Sequence, residues 1–314
     1  MTNKAILTGL LAGIAAGLCV LATVNMGPVA YFLMFIAAGA VGVATMGWGR
    51  DAGIAATVAA FGVLVLASGL PIAAASTLLL FVPAGWTGYL ANLGHRRPGE
   101  AAVDWYPLGR ILLHLMALLA FAFIAVGYAD GITGVELAKA FTELFRELAA
   151  RQPDLPGLDE AGIARMAQIY ARLLPLVAPG MWLLTHVLTA FIAAGITRRS
   201  GLMARARDDV AAGTILPLEA GLFVLAGLAG VLVFDGALNL AGSVLLSLAV
   251  CGYALVGLAQ LHLRLRGNPA ALLILIVAYG SILIAAFPIL VFALMGLLRS
   301  HLPSGPHPPT PKST

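Results

Sequence analysis

Long apolar runs constrain this chain more than any other feature. Stretches of about 20 apolar residues recur, separated by short polar knots, and a bilayer with a hydrocarbon core of ~30 Å demands that spacing. Backbone groups in lipid must be bonded internally, which leaves helices or a closed barrel. Runs this continuous do not fit the alternating pattern of barrel strands. Of 314 residues, 61% are hydrophobic and only 10% are charged, too little polar surface to cover a water-soluble globule of this size. The expected fold is all-α, a polytopic transmembrane helix bundle.

The runs predict nine spans, at 5–24, 28–48, 52–69, 72–91, 109–128, 174–197, 215–234, 237–262 and 270–298. Ser68-Gly69-Leu70-Pro71 is a tight turn signal between the third and fourth. The last run is long and contains Pro288, so it reads either as one kinked helix or as two short halves, which allows eight to ten spans. Residues 1–302 form a single transmembrane domain, and the tail 303–314, with five prolines, lacks the apolar content to fold. The first run follows Lys4 and is longer than a signal-peptide core, so it reads as a retained helix.

Charge sets the expected orientation. With the N-terminus cytoplasmic, Lys4, Arg50, Arg96, Arg97, Arg110, Arg198, Arg199, Arg205, Arg207, Arg264 and Arg266 all fall on the inner side. The short outer turns near Asn25, Gly69 and Asp235 carry no Lys or Arg, as the positive-inside rule requires. The formal charge of +4 is therefore a topology signal and gives no reason to invoke nucleic acid.

The one sizeable extramembrane piece, 129–172, is then outside. Thr133 and Glu136 read as a capping box. Leu137, Phe141, Leu144, Phe145 and Leu148 form an apolar stripe with Glu143, Arg146, Glu147 and Arg151 facing away. Pro153 and Pro156 end that helix, and a second amphipathic stretch starts near Asp159. The segment reads as a helical hairpin on the membrane surface or over the bundle, or as a lid or partner-docking element.

Polar groups inside spans are expensive and are the first functional candidates. His186 sits in the sixth span, one turn after Trp182, and either bonds a neighbouring helix or contacts a ligand. His114 lies one turn after Arg110 in the fifth span, and Tyr253 and Gln260 share a face of the eighth. These five, His186, Trp182, Tyr253, Gln260 and His114, are the candidate ligand contacts. Gly9, Gly13 and Gly17 form a small-xxx-small stripe for close helix packing, within the chain or against another membrane subunit. Trp105, Tyr106 and Arg110, in Trp-Tyr-Pro-Leu-Gly-Arg, read as an interface anchor. Cys19 and Cys251 lie in apolar runs and read as small buried hydrophobes. No nucleotide-binding Gly-Lys-Ser/Thr loop, no His-Glu-x-x-His helix and no Gly-x-Ser-x-Gly elbow occurs. An enzyme is not expected, and neither a cofactor nor a metal is implied.

Several strings together carry a family resemblance: Trp105 to Arg110, Thr197-Arg198-Arg199-Ser200-Gly201, Ile215-Leu216-Pro217, and Tyr253 to Ala259 with His262. With the order of spans, they resemble the alphaproteobacterial branch of the YybS-like membrane proteins. The resemblance implies a bacterial inner-membrane protein distantly related to the substrate-binding S subunits of energy-coupling-factor transporters. Those subunits dock a coupling subunit through small-residue stripes, a role that Gly9, Gly13 and Gly17 would fill. The resemblance carries over no catalytic residue. The leading expectation is small-molecule binding related to transport, and the alternative is a scaffold for envelope assembly that works through helix–helix contacts.

Overall fold

The computed structural model describes residues 3–23, 29–97, 99, 103–132, 134–151 and 159–302. The Asn25 turn, Thr133 of the capping box, Pro153, Pro156 and the tail 303–314 lie outside the described residues. The fold is nearly all helical. In chain order, α1 is Asn3–Ala22, α2 Val29–Trp48, α3 Arg50–Ser68, α4 Leu70–Ser76 and α5 Val82–Ala91. A two-stranded hairpin, β1 Gly94–Arg96 with β2 Val103–Trp105, leads into α6 Leu108–Ala129. There follow α7 Gly134–Arg151, α8 Glu160–Arg199, α9 Val210–Gly213, α10 Gly221–Val233, α11 Gly236–Arg264, α12 Ala271–Ala285 and α13 Pro288–His301. Six of the described helical stretches are long and apolar enough to cross a membrane: α1, α3, the continuous Leu70–Ala91, α6, α8 and α11.

Two expected spans come out shorter than the apolar runs suggest. The run 215–234 yields only the 13-residue α10, because Pro217 holds the chain extended and a 3-10 turn at Leu218–Ala220 precedes the helix. The last run yields two helices, the second of the two readings, and the break falls at Ala286 in a left-handed conformation, φ 57°. The segment between α5 and α6, expected as loop, contains the β-hairpin. Its pairing sets Gly94 opposite Trp105 and Arg96 opposite Val103.

The helices build two lobes joined by α8. In the first, Gly9 and Gly13 seat α1 against the backbone of Ala52 and Ala56 on α3. A Cβ at either glycine would collide with that backbone, so the two helix axes approach as only glycine allows. Val41, Leu64, Leu80 and Phe81 fill the centre of this lobe. The second lobe is centred on α11, with Leu115, Met116, Leu119, Leu183, Leu248 and Val256 in its core. Gly257 and Gly296 meet the facing backbones of Phe292 and Tyr253, drawing α13 onto α11. Asn239 Nδ2 donates to Val231 O and Phe234 O and closes the turn from α10 to α11.

The short arginine-bearing connections, α2–α3, α5–α6, α8–α10 and α11–α12, gather at one end of the bundle, here the basic face. The α7–α8 hairpin stands at the other end. It is held by Phe141, Phe145 and Tyr170, whose rings lie 5.3–6.0 Å apart, and by the Arg146–Glu160 ion pair at 2.8 Å.

Candidate functional site

The polar residues singled out from the sequence do not converge on one pocket. They occupy three separate places.

The first is at the junction of the lobes. Between α4 and α5 the helix widens into a π turn, Thr77–Phe81, which frees a carbonyl from the regular ladder. His186, 3% exposed, donates from Nε2 to Leu79 O at 2.8 Å. A carbonyl only accepts, so Nε2 carries the hydrogen. Trp182 packs on the imidazole with ring centroids 6.2 Å apart and meets Phe123 edge-on at 5.9 Å. The adjoining cavity, lined by Ala38, Thr87, His186 and Thr189 among others, measures about 10 Å³. That is room for one water molecule and no larger ligand.

The second is along α11. Tyr253 Oη lies 2.7 Å from His301 Nε2 on α13. Gln260, with its amide oriented to suit both neighbours, donates to Met295 O at 3.3 Å and accepts from Arg264 Nη2 at 3.0 Å. Both residues therefore fasten α13 to α11.

The third is at the basic face. Trp86 Nε1 donates to His114 Nδ1 at 3.3 Å, and His114 Nε2 lies 3.0 Å from Tyr106 Oη. Trp105 sits in β2 with the Arg205 guanidinium 5.9 Å from its ring centre, and Arg110 is exposed at the start of α6. The anchor string is thus built into a packed corner of the protein. Gly9, Gly13 and Gly17 are covered by α3 and leave no free stripe.

Sequence reasoning treated Arg205 as one more basic loop residue. In the structure its side chain is 4% exposed. It donates to both carboxylate oxygens of Asp208 at 2.8 and 3.0 Å and to the carbonyls of Ala91 and Tyr106 at 3.4 and 3.0 Å. The only local hint was the Arg205–Asp208 spacing. Nearby, Arg266 donates to Asp209 Oδ1, which also accepts from Ala212 N at 3.2 Å. The Arg266 bond, then the backbone bonds, push the Asp209 carboxyl down to about 2, and Arg266 is raised in turn.

A large concavity lies on the side of the bundle. A groove of about 900 Å³ runs between α1, α2 and the second half of α8, lined by Leu11, Phe32, Ile36, Val43, Leu188 and Ile192 among others. Thr8 and Thr189 supply its hydroxyls, and Thr8 Oγ1 is already turned back to Lys4 O at 2.9 Å. Its chemistry suits an apolar chain or ring and offers nothing to a charged solute. Among the described residues, no three His, Cys, Asp or Glu side chains are grouped as a metal site would need.

No family model, no curated protein and no solved structure matches the chain.

Proposed function

We propose that this is a multi-pass protein of a bacterial inner membrane that binds a small apolar or amphiphilic molecule entering sideways from the bilayer, in a transport-related role. The observation that carries the reading is the lateral groove. Its volume of about 900 Å³ falls in the range of ligand sites, ~300–1,000 Å³, whereas the polar centre at His186 is filled. The resemblance to S-subunit-like proteins supports the same reading. The basic face is cytoplasmic in this proposal, with the N-terminus on that side, because its short connections hold the unpaired arginines. Of the shorter apolar helices, α2 and α10 supply two further passages and bring the count in this proposal to eight, while α12 and α13 form a re-entrant pair, since Arg266 before it bonds Asp209 and Arg299 at its end bonds the Ala211 and Ala212 carbonyls. The protein acts by binding and performs no catalysis.

A second reading, the envelope scaffold, is favoured by the hairpin, where Val135, Leu144 and Leu148 stay exposed on α7. One experiment separates the two. A Cβ at Gly39 meets nothing nearer than the Thr189 methyl at 3.5 Å, so Gly39→Phe puts a ring into the groove without striking backbone. Wild type and Gly39→Phe are purified in mild detergent and their organic extracts compared by mass spectrometry. A stoichiometric lipophilic molecule, distinct from the bulk lipid profile and lost in Gly39→Phe, is the expected result. Equal extracts from both proteins would sink the groove reading. An envelope protein co-purifying only while Leu144 and Leu148 are intact would favour the scaffold.

A further inference from the structure

The corner formed by Trp86, His114, Tyr106 and Arg110 has hydrogen-bond donors left over. A neutral imidazole carries one hydrogen. His114 Nδ1 accepts from the Trp86 indole, so that hydrogen is on Nε2 and points at Tyr106 Oη. The Tyr106 hydroxyl accepts this bond, and its own hydrogen has no acceptor among the described residues. Arg110 stands four residues before His114 on α6, so the two share a face. It is exposed, and no carboxylate lies within ion-pair distance of it among the described residues.

The surrounding charges sharpen the point. All four aspartates of the basic face are taken: Asp51 by Arg50, Asp104 by Arg97, Asp208 by Arg205 and Asp209 by Arg266. Among the described residues Glu219, the remaining acid at this end, makes no ion pair, and neither do Arg96, Arg110, Arg198, Arg199, Arg207 and Arg264. What distinguishes Arg110 from the other five is its setting. It lies one helical turn before His114, which bonds both Tyr106 and Trp86, and Trp86 packs on Tyr89 with ring centroids 5.6 Å apart. Trp86 is 41% exposed although its indole nitrogen is bonded inward, so its ring faces outward as apolar surface.

We infer that this corner binds one anionic phospholipid of the leaflet at the basic face. Arg110 and the Tyr106 hydroxyl hold the phosphate, and Trp86 and Tyr89 flank the first carbons of the acyl chains. A cation and a neutral donor match a phosphate diester, and the aromatic wall explains why the ligand carries tails and is not a free anion.

The test uses the full chain, delipidated in detergent and titrated with palmitoyl-oleoyl phosphatidylglycerol or phosphatidylcholine under native mass spectrometry. One phosphatidylglycerol is retained in preference to phosphatidylcholine. Arg110→Gln and Tyr106→Phe each weaken retention about tenfold, the equivalent of one charge-assisted hydrogen bond. Arg96→Gln and Arg207→Gln, which change the same net charge elsewhere on the face, leave it within about twofold. Arg110 is exposed, so its variant keeps the fold and decides the matter even if Tyr106→Phe melts early. Undiminished retention by Arg110→Gln, equal binding of the two lipids, or displacement of phosphatidylglycerol by excess inorganic phosphate would each overturn the assignment.

Discussion

Gly13 shows how much a single hydrogen atom in place of a methyl decides. Its missing side chain lets α1 rest on Ala56, and any Cβ there meets Ala56 backbone. Gly13→Leu should cost about 3 kcal/mol or more, the upper range for overpacking, read as a lowered melting temperature in detergent. The stripe was legible in the sequence because three glycines at a spacing of four can serve only close packing. Which helix would fill it was not legible, since Ala52, Ala56 and Ala60 look like ordinary small residues until α3 is in place. His186 was likewise visible as a costly buried polar group. Its partner was hidden because a backbone carbonyl has no sequence signature and nothing in Thr77–Phe81 announces a π turn. His186→Leu should leave Leu79 O unpaired in an apolar setting at a cost of about 1–3 kcal/mol, with His186→Gln recovering part of the loss in the same unfolding measurement. Asp209 gives a pH prediction. Its folded carboxyl is held down at about 2, well below the ordinary aspartate value of 3.8. The stabilisation it contributes is therefore complete above its unfolded value and is lost as pH falls through about 2. Wild type and Asp209→Asn should differ in melting temperature by a constant amount across neutral pH and converge only in strong acid.

At the level of elements, apolar periodicity located the helices but not their ends. For the run 270–298 Pro288 left one kinked helix and two halves both open, because Ala286 and Phe287 are apolar and hydropathy is blind to a residue with positive φ. An alanine there pays the steric cost of positive φ, about 1–2 kcal/mol. Ala286→Gly should therefore raise stability by up to about 1 kcal/mol, once the greater freedom of glycine in the unfolded chain is subtracted, as seen in thermal unfolding. If the substitution destabilises, α12 and α13 are held apart by something other than this residue. The opposite case is α8, where Pro175 and Pro179 would ordinarily mark a boundary, yet the helix runs on for 40 residues. Next to Pro179 the helix is held from outside. Gly180 N donates to Ser247 Oγ at 3.0 Å and Gly180 O accepts from Cys251 Sγ at 3.2 Å. These two bonds fasten α8 to α11 beside the proline, and no window along one sequence can show the neighbour.

For the whole molecule, Arg205 is the residue whose loss should be felt furthest. Its bonds to Ala91 and Tyr106 tie the loop after α8 to the end of the first lobe and the start of the second. Arg205→Ala should cost about 3 kcal/mol by leaving Asp208 and two carbonyls without their donor, and limited proteolysis should then cut first between residues 200 and 209. Holding the lobes at one end leaves the long helix free to act at the other. At 1.5 Å per residue α8 is about 60 Å long, with the α7 hairpin at one tip, residues lining the groove near the other, and the clamp at Gly180 between them. With its groove end tied through Arg205 and its middle tied at Gly180, α8 holds the groove wall still, and a displacement of the hairpin is expected to be taken up at Pro175 and Pro179 on the hairpin side of the clamp.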